Sequence, residues 1–155
     1  MSKNIFAFAM PIAFVVAAAA AASASAQVTV KDPWARATVP SAKASGAFML
    51  LQSAQDARLV EVRTDIADAE LHKMEFKDNR MLMSAVDGIE LPAGKPVALA
   101  SGGYHVMLMQ LKRQLKEGES VPLTLVVENR KDRKRTNIEV QVPVRPLTYS
   151  PTQQH

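Results

Sequence analysis

Gly102-Gly103-Tyr104-His105-Val106-Met107-Leu108-Met109 decides how this chain is read. Two glycines let the backbone turn, and the alternation after them reads as a strand. In a strand, residues i and i+2 point to the same face, so His105 and Met107 stand side by side, roughly 7 Å apart at their Cα atoms. An imidazole and a thioether at that spacing can converge on one metal ion. Two donors do not close a site, and the chain supplies two more upstream. His72 lies in Glu70-Leu71-His72-Lys73-Met74, and Met83 lies in Arg80-Met81-Leu82-Met83. Ten residues separate His72 from Met83, and twenty-one separate Met83 from His105.

The segments around this stretch are also short and alternating. Ile66 to Phe76 puts Glu70, His72, Met74 and Phe76 on one strand face and Leu71, Lys73 and Glu75 on the other. Asp78-Asn79 supplies a turn, and Met81 and Met83 share a face on the returning strand, so a hairpin is expected to bring His72 and Met83 near each other. Val28 to Thr38 carries Pro33, which favours an edge strand or a bulge. Trp34, the only Trp, is expected to anchor the core. Gly46 to Gln52, Arg58 to Arg63, Ile89 to Leu91 and Val97 to Ala100 read as further strands. Lys112 to Ser120 reads as a loop, and Val121 to Glu128 pairs with Thr136 to Val144 in a last hairpin whose Ile138, Val140, Val142 and Val144 face inward. Eight or nine such segments, punctuated by Gly, Pro and Asp turns and lacking a long amphipathic helix, predict a single all-β domain, a Greek-key β-barrel or sandwich.

The ends of the chain differ from its middle. Lys3, the apolar run Ile5 to Ala22 and the small-x-small Ala24-Ser25-Ala26 predict a secretory signal peptide over 1–26, cleaved after about Ala26. The domain would then occupy 27–145 and a flexible polar tail 146–155, with no stable membrane insertion of the mature chain. Removing Lys3 takes the formal net charge of +4 to +3, too mild a basic excess to suggest nucleic acid. Five basic residues between Asn129 and Arg135 read as a solvated hairpin tip, with a partner-docking patch as the alternative.

The absence of Cys removes both disulfides and thiolate ligands. Of eight Met residues, four fall at positions 81, 83, 107 and 109. Scattered Met is ordinary core filler, and Met49 and Met109 are read that way. His72, Met83, His105 and Met107 together read differently. Thioether is soft and uncharged and imidazole borderline, so this donor set favours Cu(I), whereas zinc sites prefer Cys, His or carboxylate, and calcium and magnesium require oxygen. A blue-copper electron-transfer centre would need a Cys thiolate. The sequence offers no nucleophile with a paired base and no phosphate loop, so an enzyme is not expected.

The chain resembles the periplasmic copper chaperone family known as PCuAC, whose motif is His, ten residues, Met, twenty-one residues, His-x-Met. His72, Met83, His105 and Met107 match it without a gap. Asp32-Pro33-Trp34-Ala35-Arg36-Ala37, Ser45-Gly46-Ala47, Glu70-Leu71-His72 and Gly88-Ile89-Glu90-Leu91-Pro92-Ala93-Gly94 carry the likeness through about Val28 to Val144. The resemblance implies a cupredoxin-like barrel that holds Cu(I) near its surface. It also implies delivery to the CuA-bearing subunit of cytochrome c oxidase, directly or with a Sco-type thiol protein, in the periplasm; a copper buffer for tolerance is the alternative. Some relatives bind a second copper, as Cu(II), through a His- and Met-rich tail. Here the tail offers only His155, so a second site is not expected.

Overall fold

The computed structural model describes residues 28–151, and these form strands joined by turns and loops, with no helix among the described residues. The expected signal peptide and His155 lie outside the described residues. In chain order the strands are β1 (Val28–Arg36), β2 (Ser45–Ser53), β3 (Ala57–Arg63), β4 (Asp68–Lys77), β5 (Arg80–Ala85), β6 (Ile89–Leu91), β7 (Pro96–Leu99), β8 (Tyr104–Met109), β9 (Ser120–Asn129) and β10 (Arg135–Arg145). They number ten rather than eight or nine, because the short pieces at Ile89 and Pro96 both find partners, β6 on β3 and β7 on β2.

The hydrogen-bonded path runs β5-β4-β8-β2-β1-β10-β9-β3-β6, so β5 and β6 are its free edges. Neighbours along it are antiparallel except β1 and β10, which pair in parallel at Ala35 and Arg36. The all-β expectation holds, as an open sheet curled over one core. Leu51, Leu59, Ile89, Leu91, Leu99, Val106, Leu108, Val121, Leu123 and Leu125 are all within 2% of complete burial. They come from both halves of the path, which is why the sheet must curl to bury them.

Pro33 sits in a bulge rather than at an edge. The register of β1 against β2 shifts between Lys31 and Trp34, Asp32 takes φ 48°, and β1 keeps neighbours on both sides. The loop after β8 is better anchored than its polar sequence suggests. Leu115 is wholly buried, and its backbone N–H and carbonyl bond the Thr38 hydroxyl and amide at 2.9 Å each.

Trp34 is buried, as expected, but apart from the main cluster. It is only 6% exposed and stands on the opposite face of the sheet. There it packs on Phe48 with ring centroids 4.5 Å apart and meets Tyr149 edge-on at 4.9 Å. Tyr149 belongs to the segment expected to be a free tail. Its ring covers Trp34, and the Leu147 carbonyl accepts a hydrogen bond from Arg36. Burying an indole on the outer face takes a second apolar layer, and Phe48 and Tyr149 supply it.

Candidate metal centre

The outer face of β4 and β8 carries the chemistry because the inner face is committed to the core. On β8, Val106 and Leu108 are fully buried inward, so His105 and Met107 point outward. On β4, Leu71 is buried inward, so Glu70, His72 and Met74 point outward. The two strands pair with His72 directly opposite His105 and Glu70 opposite Met107. The two imidazole centroids are 6.0 Å apart, inclined at 46°.

The β4–β5 hairpin forms as the turn residues dictate. Asp78 and Asn79 take φ of 52° and 59° between the paired Lys77 and Arg80, the two-residue geometry that matches strand twist. Its register sets Met83 opposite Met74 and Ala85 opposite His72. Met83 is therefore the diagonal neighbour of His72, roughly 7–8 Å away at Cα. All four donors read from the sequence lie on one face, but Met83 is set apart from β8 by the width of β4.

An open cleft on this face is lined by Arg36, Gly46, Phe48, Met74, Met83, His105 and Met107. Gly46 pairs with Met107, and the Phe48 ring lies over it: a Cβ added there would stand 2.8 Å from Phe48 Cζ. The same ring is 6.3 Å from that of His105, which is why an outward-pointing histidine is only 4% exposed. Arg36 places its guanidinium over the Trp34 and Phe48 rings at 5.5 and 5.9 Å. The walls of the cleft are thus aromatic and thioether, with a cation at one rim.

The hydrogen bonds of the two rings fix which nitrogen is available. His105 Nδ1 lies 3.1 Å from the Gly103 carbonyl, which can only accept, so Nδ1 carries the proton and Nε2 of the neutral ring keeps its lone pair. His72 Nε2 lies 2.7 Å from the Glu70 carboxylate, which can only accept, so in the neutral ring the proton sits on Nε2 and Nδ1 keeps its lone pair. His72 Nδ1 is buried and has no hydrogen-bond partner. A buried acceptor without a partner is costly unless something binds it, so this lone pair fits an electrophile such as a metal ion.

Among the described residues no group of three or more His, Cys, Asp or Glu side chains is arranged to hold a metal ion. The imidazoles and thioethers on this face are uncharged donors. That suits a soft monovalent ion better than a divalent one.

Sequence reading missed two features of the cleft. Met74 lines it beside Met83, a position that the i+2 spacing from His72 already signals. Phe48 roofs it from β2, and only the β2–β8 pairing, remote in sequence, brings it there.

Comparison with known proteins adds the following. Residues 28–144 match the family model LpqE-like, described as "Putative lipoprotein LpqE-like". The protein Lxx21020 of Leifsonia xyli subsp. xyli is 40% identical over 57 residues, which cover 36% of this chain and 34% of that one; the match thus spans about a third of that relative. The solution structure of apo-DR1885 from Deinococcus radiodurans is 31% identical, covers 94% of this chain and 97% of its own, and superposes with a TM-score of 0.57. The CuI form of DR1885 is 34% identical over 80% of this chain and 83% of its own, with a TM-score of 0.52. The copper-bound PCuAC domain from PmoF2, 21% identical, covers 79% of this chain and 96% of its own at a TM-score of 0.60 and shares the fold.

Proposed function

The chain belongs to the LpqE-like family, and from that premise we propose that it is an exported copper carrier that binds Cu(I) through His72, Met83, His105 and Met107 and passes it to an acceptor. The observation that supports this reading most directly is the pair of opposed imidazoles on β4 and β8, flanked by thioethers on the same face. One of the two, His72, has a buried nitrogen without a partner. The likeness to DR1885, solved with and without CuI, points to the same cargo.

Copper here is cargo rather than a resident cofactor, and the geometry suits a carrier. His72, His105 and Met107 stand on strands anchored from behind by Leu71, Val106 and Leu108, so these three are held in place without metal, while Met83 stands on the exposed edge strand β5. Neutral ligands stabilise Cu(I) over Cu(II) and cannot form disulfides, which favours retention in an oxidising compartment. The site opens at β5, where Met83 is 50% exposed. A thiolate acceptor approaching that edge could bind the ion before the last thioether leaves it.

We assign the acceptor to the CuA-bearing subunit of cytochrome c oxidase or a Sco-type thiol protein, and the compartment to the periplasm. The test is transfer from the Cu(I)-loaded protein to a reduced thiol acceptor of either kind, followed together with oxidase activity in a deletion strain at ordinary copper. Transfer and loss of oxidase activity are expected. Copper sensitivity with normal oxidase activity would instead make the protein a buffer, and absence of Cu(I) binding would overturn both readings.

A further inference from the structure

Three thioethers, not two, line the cleft beside His105: Met74, Met83 and Met107. Their positions are not equivalent. Met74 is two residues along β4 from His72 and shares its face, and its backbone amide donates to the Gly103 carbonyl at 3.0 Å, continuing the β4–β8 ladder past Tyr104. It is thus one strand spacing from β8, roughly 4.8 Å, whereas Met83 on β5 is two spacings away. Met74 is half-buried and Met83 half-exposed, and the two stand directly opposite each other in the hairpin. Of the two sulfurs, the one outside the four-residue motif starts from the position nearer His105.

We propose that Met74 is a copper-binding residue, a thioether that takes Cu(I) in turn with Met83. The inference rests on the copper reading of this cleft. With Met74 bound, the ion sits inward, between β4 and β8. With Met83 bound, it sits one strand further out, at the free edge of the sheet. The exchange forms one Cu–S bond as another breaks, and copper remains Cu(I) throughout, so no oxidant, reductant or proton is required. Two sulfurs on paired strands give the ion an inner holding position and an outer hand-over position. Met81, next along the same face but paired with Phe76 at the hairpin end, is a further pair of residues from the histidines and is the control.

The experiment compares Met83→Leu, Met74→Leu, the double variant and Met81→Leu in the purified protein. It measures Cu(I) affinity by competition with a chromogenic chelator and counts sulfur neighbours by X-ray absorption, with near-ultraviolet circular dichroism as the check on folding. Met83→Leu should keep its full sulfur count and lose no more than a few-fold in affinity, because Met74 takes the place. The double variant should lose one sulfur and fall a further 10–100-fold, the range in which altered metal surroundings typically act. Met81→Leu should match the parent. If folded Met83→Leu already lacks a sulfur, or the double variant binds no more weakly than Met83→Leu, Met74 is not a ligand and the proposal fails while the copper reading stands. A parent that binds no Cu(I) removes the copper reading itself.

Discussion

Met107 and Met109 sit two residues apart on the outer side of β8, and only the first lines the cleft. Leucine keeps the bulk of methionine and removes its sulfur. Met107→Leu should fold normally and bind Cu(I) some 10–100-fold more weakly, while Met109→Leu should bind like the parent; chelator competition on both checks this. Gly46 offers a second single-residue test. A Cβ there would press on the Phe48 ring at 2.8 Å, and that ring is held between Trp34 and His105. Gly46→Ala should therefore cost roughly 1–3 kcal/mol, as overpacking does, measured by urea unfolding. The candidacy of His72, Met83, His105 and Met107 as donors could be read from the sequence, since rare His beside clustered Met is a compositional signal. The covering of His105 could not, because Phe48 reaches it through strand pairings distant along the chain, and the same distance hid that Trp34 packs apart from the main core cluster.

The β4–β5 hairpin was legible because its register is set locally, by two residues that tolerate positive φ between two alternating runs. Asn79 takes φ 59°, so Asn79→Val should weaken the hairpin by roughly 1–2 kcal/mol and Asn79→Gly should not. Hydrogen exchange at Met81 and Met83 is the measurement, with faster exchange expected for valine alone. The pairing of β4 with β8 was not legible. It joins segments more than thirty residues apart in order to bury Leu71, Val106 and Leu108 together, and it is what sets His72 against His105. Local periodicity gives each strand a face but does not choose its neighbour, so the sequence indicates which donors could share a site while the register sets them on one face of adjacent strands. The loop from Lys112 was read correctly as irregular, but its anchoring was not legible, because Leu115 and Thr38, remote in sequence, tie it to the core edge.

For the molecule as a whole, charge lies at the periphery and soft donors lie on one face. At the last hairpin, Arg133 and Arg135 both hydrogen-bond the Glu128 carboxylate, at 3.1 Å each, and Arg130 reaches Glu90 at 3.5 Å. Much of the basic tip is thereby paired, which favours its reading as a solvated turn. Arg133 and then Arg135 hold the Glu128 carboxyl below the usual carboxylate range. A folded-state value below the unfolded one contributes stability that is complete above the unfolded value and is lost as pH falls through the folded one. Glu128→Gln should be less stable than the parent at pH 7 and should lose less on acidification below about pH 4.5, as followed by urea unfolding across pH. The central claim is tested most directly by X-ray absorption at the copper edge of the protein loaded with one equivalent of Cu(I). The expected first shell holds two imidazole nitrogens and two thioether sulfurs; a shell of nitrogen and oxygen alone would contradict the account.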